Sequence, residues 1–475
     1  MSNLKKLLVL LLALAMFAAA CGGSDTEATD NGDEETEASD GDDEEATEDD
    51  EEAMEDDEEA MEDDDGGEEA SGDVLTDVGV DDEFIRIGGL VDQTGIFAGL
   101  TVPIADGSEA YFDWLNANGG VAGRQIDHII LDTAYDVPTH QQHYDTFSSE
   151  GEDGVAFIGT STGSPHTASI REDLIDDGLG AIPLSWNSSW SDPASGNIFE
   201  WGTNYCVEAM NGVSYLAEQN DAATVAILSF PGDYGEDGAL GAKAAAEALG
   251  LEVVYDGQGQ VIPGADSTAV ITGLVESEAD IVWATTNSGL LAELMGGAAA
   301  SGFDAQWGGN GPSFSPLLLP TEVGPLLDTN YTHFSPYASL GSNDSPGMTE
   351  VLEIMRAERP DAQFLSVYVI SWIQGEIVRQ GMEAAAANGD MTRAGIVEAL
   401  QGIEIDMQGV MPNLNFAGEP NDQVIRSSFV FDVTIDTYNA DATVLDDEGE
   451  GLTLVDDAYM SDVARDWDYA PCFGI

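Results

Sequence analysis

Residues 84–125 read FIRIGGLVDQTGIFAGLTVPIADGSEAYFDWLNANGGVAGRQ. The apolar and β-branched run at 84–90 predicts a buried strand, and the apolar residues from Ile104 to Leu115 recur at the spacing of a helix. The Asn-Gly-Gly at 118–120 is typical of a helix end. A strand, a loop and a returning helix form the first unit of a parallel α/β sheet. The loop then lies at the carboxyl end of the strand, where open α/β sheets bind ligands.

From residue 126 onward, short buried runs alternate with helical patterns, which predicts an α/β fold with mostly parallel sheets. A second series of such units begins near residue 223, so the 475 residues are sufficient for two lobes. The predicted strands are 126–131, 155–159, 180–184, 223–229, 251–255, 280–285 and 425–433. The predicted helices are 139–149, 204–219, one from 243 onward, 267–277, 288–301, 364–388 and 392–401.

Several short motifs resemble one family. They are Ile-Arg-Ile-Gly at 85–88, Thr94-Gly95, the Asn-x-x-Gly-Gly-Val-x-Gly-Arg pattern at 116–124, and Asp-Tyr-Gly at 233–235. They resemble the branched-chain amino-acid (leucine-binding) type of periplasmic solute-binding protein, the extracytoplasmic receptors of ABC importers. The resemblance implies a type 1 periplasmic-binding-protein fold, with two Rossmann-like lobes joined by three hinge crossovers.

On that resemblance, the first lobe comprises residues 83–203 and 334–408, and the second comprises 204–333 and 409–475. The cleft between them would bind a small polar solute, and the solute would pass to ABC permease and ATPase subunits. The resemblance implies no enzymatic activity and no cofactor.

The resemblance also implies a set of ligand-binding residues. Ser164, Asn187 and Ser189 follow two strands of the first lobe, and Tyr234 and Asn287 follow strands of the second. Ser164 precedes a predicted helix, so it is equally well explained as an N-cap.

At Gly311, members that bind amino acids often carry an acidic residue that pairs with the ligand ammonium. This chain has Asn310-Gly311 there. An unpaired buried ammonium is costly. Either Asp92 or Asp233 therefore substitutes, or the ligand is an amide or organic acid without an ammonium.

The front of the chain has the layout of an export signal. Lys5 and Lys6 precede an apolar run, and the Ala-Ala-Ala at 18–20 precedes Cys21. This pattern predicts a signal peptide over 1–20 and a lipid anchor on Cys21, with plain secretion as the alternative. Residues 21–82 are rich in Asp and Glu and contain no Lys or Arg. They predict a disordered acidic tether that holds the receptor on the outer face of the cell membrane.

The formal net charge of −80, with only 12 Lys and Arg, argues against nucleic acid or an anionic membrane surface as a partner. We expect a monomer that touches the membrane only through its lipid. Of the three cysteines, Cys206 and Cys472 remain if Cys21 is lipidated, and an exported pair predicts one disulfide. Both would lie in the second lobe, so the disulfide would fix the C-terminus without restraining lobe closure.

Other functions remain open on the sequence. Residues 159–163 satisfy the Gly-x-Ser-x-Gly pattern of a nucleophile elbow, with Ser161 as the nucleophile and His333 downstream. A serine hydrolase is therefore one alternative, and a ligand-sensing receptor for a signalling protein is another. His140 and His143 lie one helical turn apart, but no third metal ligand is evident nearby, so we expect no metal site.

Overall fold

The computed structural model describes residues 74–474. These residues fall within one compact unit, and the predicted signal peptide, Cys21 and the tether up to residue 73 lie outside the described residues. The strands are β1 (Leu75–Thr76), β2 (Phe84–Val91), β3 (Gln125–Asp132), β4 (Phe157–Thr162), β5 (Ala181–Leu184), β6 (Thr224–Ser229), β7 (Glu252–Gly257), β8 (Ile281–Thr285), β9 (Gln306–Gly309), β10 (Tyr331–Ser335), β11 (Asp390–Met391), β12 (Glu404–Ile405), β13 (Leu414–Asn415), β14 (Ser428–Tyr438) and β15 (Glu450–Tyr459). The α-helices are α1 (Ala98–Ala117), α2 (Val137–Ser148), α3 (Ser164–Ser169), α4 (Arg171–Asp176), α5 (Tyr205–Asn220), α6 (Asp233–Leu249), α7 (Thr268–Ser277), α8 (Ser288–Ala300), α9 (Gly324–Asn330), α10 (Pro346–Glu358), α11 (Val367–Ala387), α12 (Arg393–Gly402), α13 (Pro420–Gln423) and α14 (Asp462–Asp466).

The first sheet has four parallel strands in the order β3-β2-β4-β5. Helices α1 and α11 pack closely against each other beside it. Glycine makes this approach possible, because a Cβ added at Gly375 would lie 2.4 Å from the Tyr111 ring. The Tyr111 hydroxyl donates to Glu376 at 2.6 Å, which fixes the pair of helices.

The second sheet has seven strands in the order β15-β14-β10-β9-β8-β6-β7. Strands β6 to β10 run parallel, and β14 and β15 add an antiparallel hairpin at one edge. Trp283 of β8 is fully buried, and a Cβ added at Gly212 of α5 would lie 2.0 Å from its ring. The predicted α/β fold with two sheet-centred lobes is confirmed.

The chain passes between the two sheets three times within the described residues. It does so between β5 and α5, between β10 and α10, and between α12 and β14. We expected a lobe boundary at residues 333/334, but that position falls inside β10, which pairs with β9 as far as His333 and with β14 as far as Ser335.

The structure differs from the sequence-based expectation at both ends. Residues 74–82 were assigned to the disordered tether, which is wrong, because Leu75 and Thr76 pair with Asp390 and Met391 and Val80 is buried. Helix α10 and strand β15 were not predicted. Strand β15 begins at the end of the acidic run DDEGE at 446–450 and contains two further aspartates, so this segment reads as a polar tail in the sequence.

The predicted disulfide between Cys206 and Cys472 is present, and it joins α5 to the C-terminal tail. Within residues 74–474, no helix is both long enough and apolar enough to cross a membrane.

Candidate ligand-binding site

A cavity of about 350 Å³ lies between the two lobes, lined from both sides. The first lobe contributes the loop before α1, the start of α1 and the start of α11. The second lobe contributes the segments after β8 and β9 and parts of β10, β14 and β15. The lining residues are Ile96, Phe97, Gly99, Leu100, Asn287, Ser288, Gly289, Gly311, Pro312, Phe314, Ser315, Pro316, Leu317, Leu318, His333, Ser335, Tyr337, Ser339, Leu365, Ser366, Val367, Phe431, Glu450 and Leu452. Most of this wall is apolar.

The polar residues that line this larger cavity include His333, Ser335, Tyr337 and Glu450. Burial lowers the pKa of His333 to about 3, so its imidazole is neutral at ordinary pH. Burial raises the pKa of Glu450 to about 7, although the carboxylate accepts hydrogen bonds from the backbone N–H and the hydroxyl of Ser366. Glu450 is the one carboxyl side chain among the described residues lining this cavity.

A smaller cavity of about 30 Å³ adjoins the larger one, and Phe97, Leu100 and Pro312 line both. Its other lining residues are Thr101, Tyr135, Thr162, Gly163, Ser164, Leu184, Trp186, Tyr205 and Tyr234. This volume is above the roughly 10–15 Å³ that one water molecule needs. The gap between the lobes is narrow at this point.

Two hydroxyls at the smaller cavity lack hydrogen-bond partners. Thr162 ends β4, Ser164 begins α3, and Gly163 between them has φ of +95°. Both side chains are buried, and neither Thr162 Oγ1 nor Ser164 Oγ has a partner. An unsatisfied buried hydroxyl costs about 1–3 kcal/mol. An oxygen atom of a ligand in this inter-lobe cavity could accept hydrogen bonds from both hydroxyls.

Aromatic rings fill most of the space around these hydroxyls. Phe97 lies 4.8 Å from Tyr135, and Tyr205 lies 4.6 Å from Tyr234, measured between ring centroids. Burial raises the pKa of Tyr135, Tyr205 and Tyr234, so all three phenols stay protonated at ordinary pH. The Tyr234 hydroxyl donates to the carbonyl of Thr286 at 2.8 Å.

The structure places the seven predicted ligand-binding residues in different roles. Ser164 and Tyr234 line the smaller cavity, and Asn287 and Gly311 line the larger one. Asn287 also caps α8, because its side-chain oxygen accepts from the Leu290 N–H at 2.9 Å.

The other three lie outside the lining of both cavities. Asp92 accepts hydrogen bonds from the backbone N–H groups of Gly95 and Phe97 and so shapes the loop before α1. Asn187 donates to the carbonyl of Asp233 at 2.9 Å, which is a contact between lobes. Ser189 donates to the carbonyl of Phe473 in the C-terminal tail at 2.8 Å.

The acidic group missing at Gly311 has a counterpart nearby that the sequence did not indicate. Glu208 of α5 is buried, and it accepts hydrogen bonds from the Asn310 amide at 2.5 Å and the Gly311 N–H at 3.3 Å. Burial raises the pKa of Glu208 to about 8, so its carboxyl is largely neutral at pH 7. Asp92 and Asp233, the substitutes we considered, line neither cavity.

Ser161 of the elbow-like motif is fully buried. Its hydroxyl lies 2.8 Å from Thr167 Oγ1 and 3.3 Å from His140 Nε2. His333, the partner considered in the hydrolase alternative, belongs to β10 in the other sheet. The second imidazole of the His140 pair, His143, contacts the backbone carbonyl of Asp132 at 3.0 Å.

Sequence reasoning missed Phe97, Leu100 and Thr162, as well as the apolar segment 314–318 and Glu450. The signal for the first three was available, because they follow β2 or end β4 at the ligand-binding edge of the sheet. Glu450 gave no such signal, because it lies in an acidic stretch far along the chain.

Comparison with known proteins agrees with this architecture. The family described as "Periplasmic binding protein" matches residues 85–440. A search of curated proteins found no match.

Several solved structures share the fold. A fatty acid ABC transporter substrate-binding protein from Thermomonospora curvata is 26% identical with a TM-score of 0.73, covering 83% of this chain and 97% of its own. A branched-chain amino acid ABC transporter protein from Thermus thermophilus with bound valine is 17% identical with a TM-score of 0.67, covering 81% and 97%. A branched-chain amino acid transporter substrate-binding protein from Streptococcus pneumoniae, in complex with isoleucine, is 17% identical with a TM-score of 0.63, covering 78% and 99%.

Proposed function

Since this chain belongs to the periplasmic binding protein family, we propose that it binds a small organic carboxylic acid between its lobes and delivers it to an ABC permease. Members of the family are extracytoplasmic solute-binding components of ABC transporters. The proposal adds the chemical class of the solute and the residues that hold it.

One observation carries the proposal: the unpartnered hydroxyls of Thr162 and Ser164 at the inter-lobe cavity. Each hydroxyl can donate one hydrogen bond, and a carboxyl group offers two oxygens that accept them. A bound carboxyl group would satisfy both hydroxyls at once.

The solute class is supported further by the relative from Thermomonospora curvata, whose name assigns it a fatty acid. A fatty acid has a carboxyl group and no ammonium. An ammonium next to that carboxyl group would have no carboxylate partner among the described residues that line the smaller cavity. An organic acid therefore fits better than the amino acid that the resemblance first implied.

The mechanism is a shift between open and closed arrangements of the lobes. Ligand stabilises the closed arrangement because only that arrangement offers contacts from both lobes. We propose that the protein acts as a monomer and is anchored outside the cell through Cys21. No finding favours the serine hydrolase or the signalling receptor, and the buried, hydrogen-bonded Ser161 is explained as part of the first-lobe core.

A thermal-shift screen tests the proposal. The chain from residue 22 to 475 is heated with equal concentrations of hexanoate, hexanamide, hexylamine and leucine at high salt. A specific ligand raises the midpoint by mass action. We expect hexanoate to raise it most. A rise with hexylamine or leucine and none with hexanoate contradicts the proposal.

A further inference from the structure

The larger cavity indicates the chemical nature of the part of the ligand beyond its carboxyl group. We propose that the bound acid carries an aliphatic chain and that this chain occupies the 350 Å³ cavity, an inference that rests on the proposed function. Pockets of about 300–1,000 Å³ are the usual size for small-molecule ligands.

Apolar groups line the cavity on both lobes. Ile96 and Leu100 of the first lobe face the cavity together with Leu317 and Leu318 of the second. Ile96 is 48% exposed and Leu317 is 50% exposed, so apolar surface on both lobes stays in contact with water. An aliphatic chain between these side chains would remove that surface from water.

The two cavities are continuous in their lining. Phe97, Leu100 and Pro312 line both, so a chain attached to a carboxyl group at Ser164 would pass these three residues to reach the larger cavity. An ammonium next to the carboxyl group would lie among Phe97, Tyr205 and Tyr234 without a carboxylate in the lining of the smaller cavity. Burying an unpaired charge there is costly.

The test is a calorimetric titration of the chain from residue 22 to 475 with butanoate, hexanoate and octanoate. Each added pair of methylenes should tighten binding about tenfold, given the transfer free energy of a CH₂ group. Leu100→Asn should weaken octanoate binding more than butanoate binding. Val102→Asn is the control, because Val102 is exposed on the same helix and lines neither cavity.

Affinity that does not change with chain length, while butanoate still binds, overturns the chain proposal and leaves the carboxyl site standing. Binding of none of the three acids overturns the proposed function itself and the chain proposal with it.

A second inference concerns the C-terminal residues 467–474, which we term the strap. We infer that the strap holds the two lobes together and so raises ligand affinity. This inference rests on hydrogen bonds that are independent of either cavity.

The strap is fixed to the second lobe. The Cys206–Cys472 disulfide attaches it to α5. The Arg426 guanidinium lies over the Trp467 ring, 5.5 Å from its centroid, and donates to the Trp467 carbonyl at 2.7 Å. The Tyr469 N–H donates to Asn421 at 2.9 Å.

The same segment binds the loop after β5 of the first lobe. The Tyr469 hydroxyl donates to the Ser188 carbonyl, the Cys472 N–H donates to the Ser188 hydroxyl, and the Ser189 hydroxyl donates to the Phe473 carbonyl, each at 2.8 Å. We expected the disulfide to leave lobe closure unrestrained. The segment that it fixes to the second lobe also contacts the first lobe, so its position does not support that expectation.

Asp237 of α6 joins the strap and the loop. Its carboxylate accepts hydrogen bonds from the Ser188 N–H at 3.0 Å, from the Ser188 hydroxyl, and from the Phe473 N–H at 3.2 Å. Asp237 therefore connects the loop after β5 to both α6 and the strap.

The test compares the wild type with the Cys206→Ser, Cys472→Ser double variant and with Tyr469→Phe. We expect octanoate affinity to fall about tenfold or more in the double variant and about threefold in Tyr469→Phe, since each hydrogen bond contributes modestly. Tyr459→Phe, on the outer strand β15, is the matched control and should bind like the wild type.

Amide hydrogen exchange of residues 185–191 without ligand gives a second readout, and loss of the strap should increase it. Octanoate affinity that stays within twofold of wild type in the double variant overturns the inference. If the wild type binds no acid, the proposed function fails. In that case, amide hydrogen exchange of residues 185–191 that is unchanged in the double variant overturns the inference about the strap as well.

Discussion

Replacing the two unpartnered hydroxyls should affect ligand binding and stability in opposite directions. In the ligand-free protein Thr162 Oγ1 and Ser164 Oγ have no hydrogen-bond partner, so Thr162→Val and Ser164→Ala remove no intramolecular hydrogen bond. A buried unsatisfied polar group costs about 1–3 kcal/mol. We therefore expect the free energy of unfolding of each ligand-free variant to equal or exceed that of the wild type, by up to about 1 kcal/mol after packing losses.

Ligand binding should weaken at the same time. A hydrogen bond to a charged group contributes about 1.5–3 kcal/mol, which corresponds to roughly 10- to 150-fold in affinity. Urea unfolding measures the free energy of unfolding, and calorimetric titration with octanoate measures the affinity. Ser108→Ala is the control, because its buried hydroxyl donates to the Ile104 carbonyl at 3.0 Å, away from both cavities.

Two results would refute this reasoning. If Ser164→Ala lowers the free energy of unfolding by more than Ser108→Ala does, the Ser164 hydroxyl has a structural partner. If octanoate affinity is unchanged in both Thr162→Val and Ser164→Ala, the carboxyl group is bound elsewhere.

Three further predictions concern stability. Burial raises the pKa of Glu208 to about 8, so ionisation of this carboxyl lowers the free energy of unfolding as pH rises from about 4, the usual range for free carboxyls, to 8. Buried His128, His140 and His333 have lowered pKa values and act in the opposite direction below about pH 6.5, so the comparison is between Glu208→Gln and the wild type. In urea unfolding at high salt, the free energy of unfolding of the wild type should fall relative to that of Glu208→Gln between pH 5 and pH 8; a constant difference would contradict it. Gly212→Ala should destabilise the protein by about 1–3 kcal/mol, because the added Cβ meets the Trp283 ring at 2.0 Å. Gly296→Ala, at a helical site with no atom within 4 Å, should instead be neutral or stabilising in the same assay. Arg393→Met should cost about 3 kcal/mol or more, because the buried guanidinium donates to the carbonyls of three residues, 147, 148 and 155, at 2.8–2.9 Å; a loss under 1 kcal/mol would contradict it.

The fold could be predicted because its determinants are local. The alternation of buried runs with helical spacing predicted eight strands and eight helices, and each of them overlaps an observed element, although the bounds are approximate. It also gave the right class and the order of units. Helix α10 was missed because it lies between the second crossover and α11, where a long connection reads equally well as a loop. Strand β15 was missed because it begins at the end of the acidic run 446–450 and contains two further aspartates, so the segment has few of the apolar residues that indicate a buried strand.

The site could be predicted only where it depends on strand ends. Ser164, Tyr234, Asn287 and Gly311 all follow strands and line a cavity between the lobes. The partners of a buried carboxyl group depend on tertiary packing instead. Nothing local to Glu208 indicates that it contacts Asn310, because 102 residues separate them along the chain.

The contact between the strap and the first lobe could not be predicted from the sequence either. The disulfide could be predicted from the number of cysteines. The path of the C-terminal residues on either side of Cys472 could not. Ser188 and Cys472 are 284 residues apart, and their hydrogen bond depends on how the lobes meet.

A crystal structure of the chain from residue 22 to 475 with octanoate tests the central claim most directly. We predict density for the acid between the lobes, with its carboxyl oxygens within hydrogen-bond distance of Thr162 Oγ1 and Ser164 Oγ and its chain between Leu100 and Leu317. Density in the opposite orientation, with the carboxyl group at Glu450, or a ligand bound outside the inter-lobe cavities, would contradict the account.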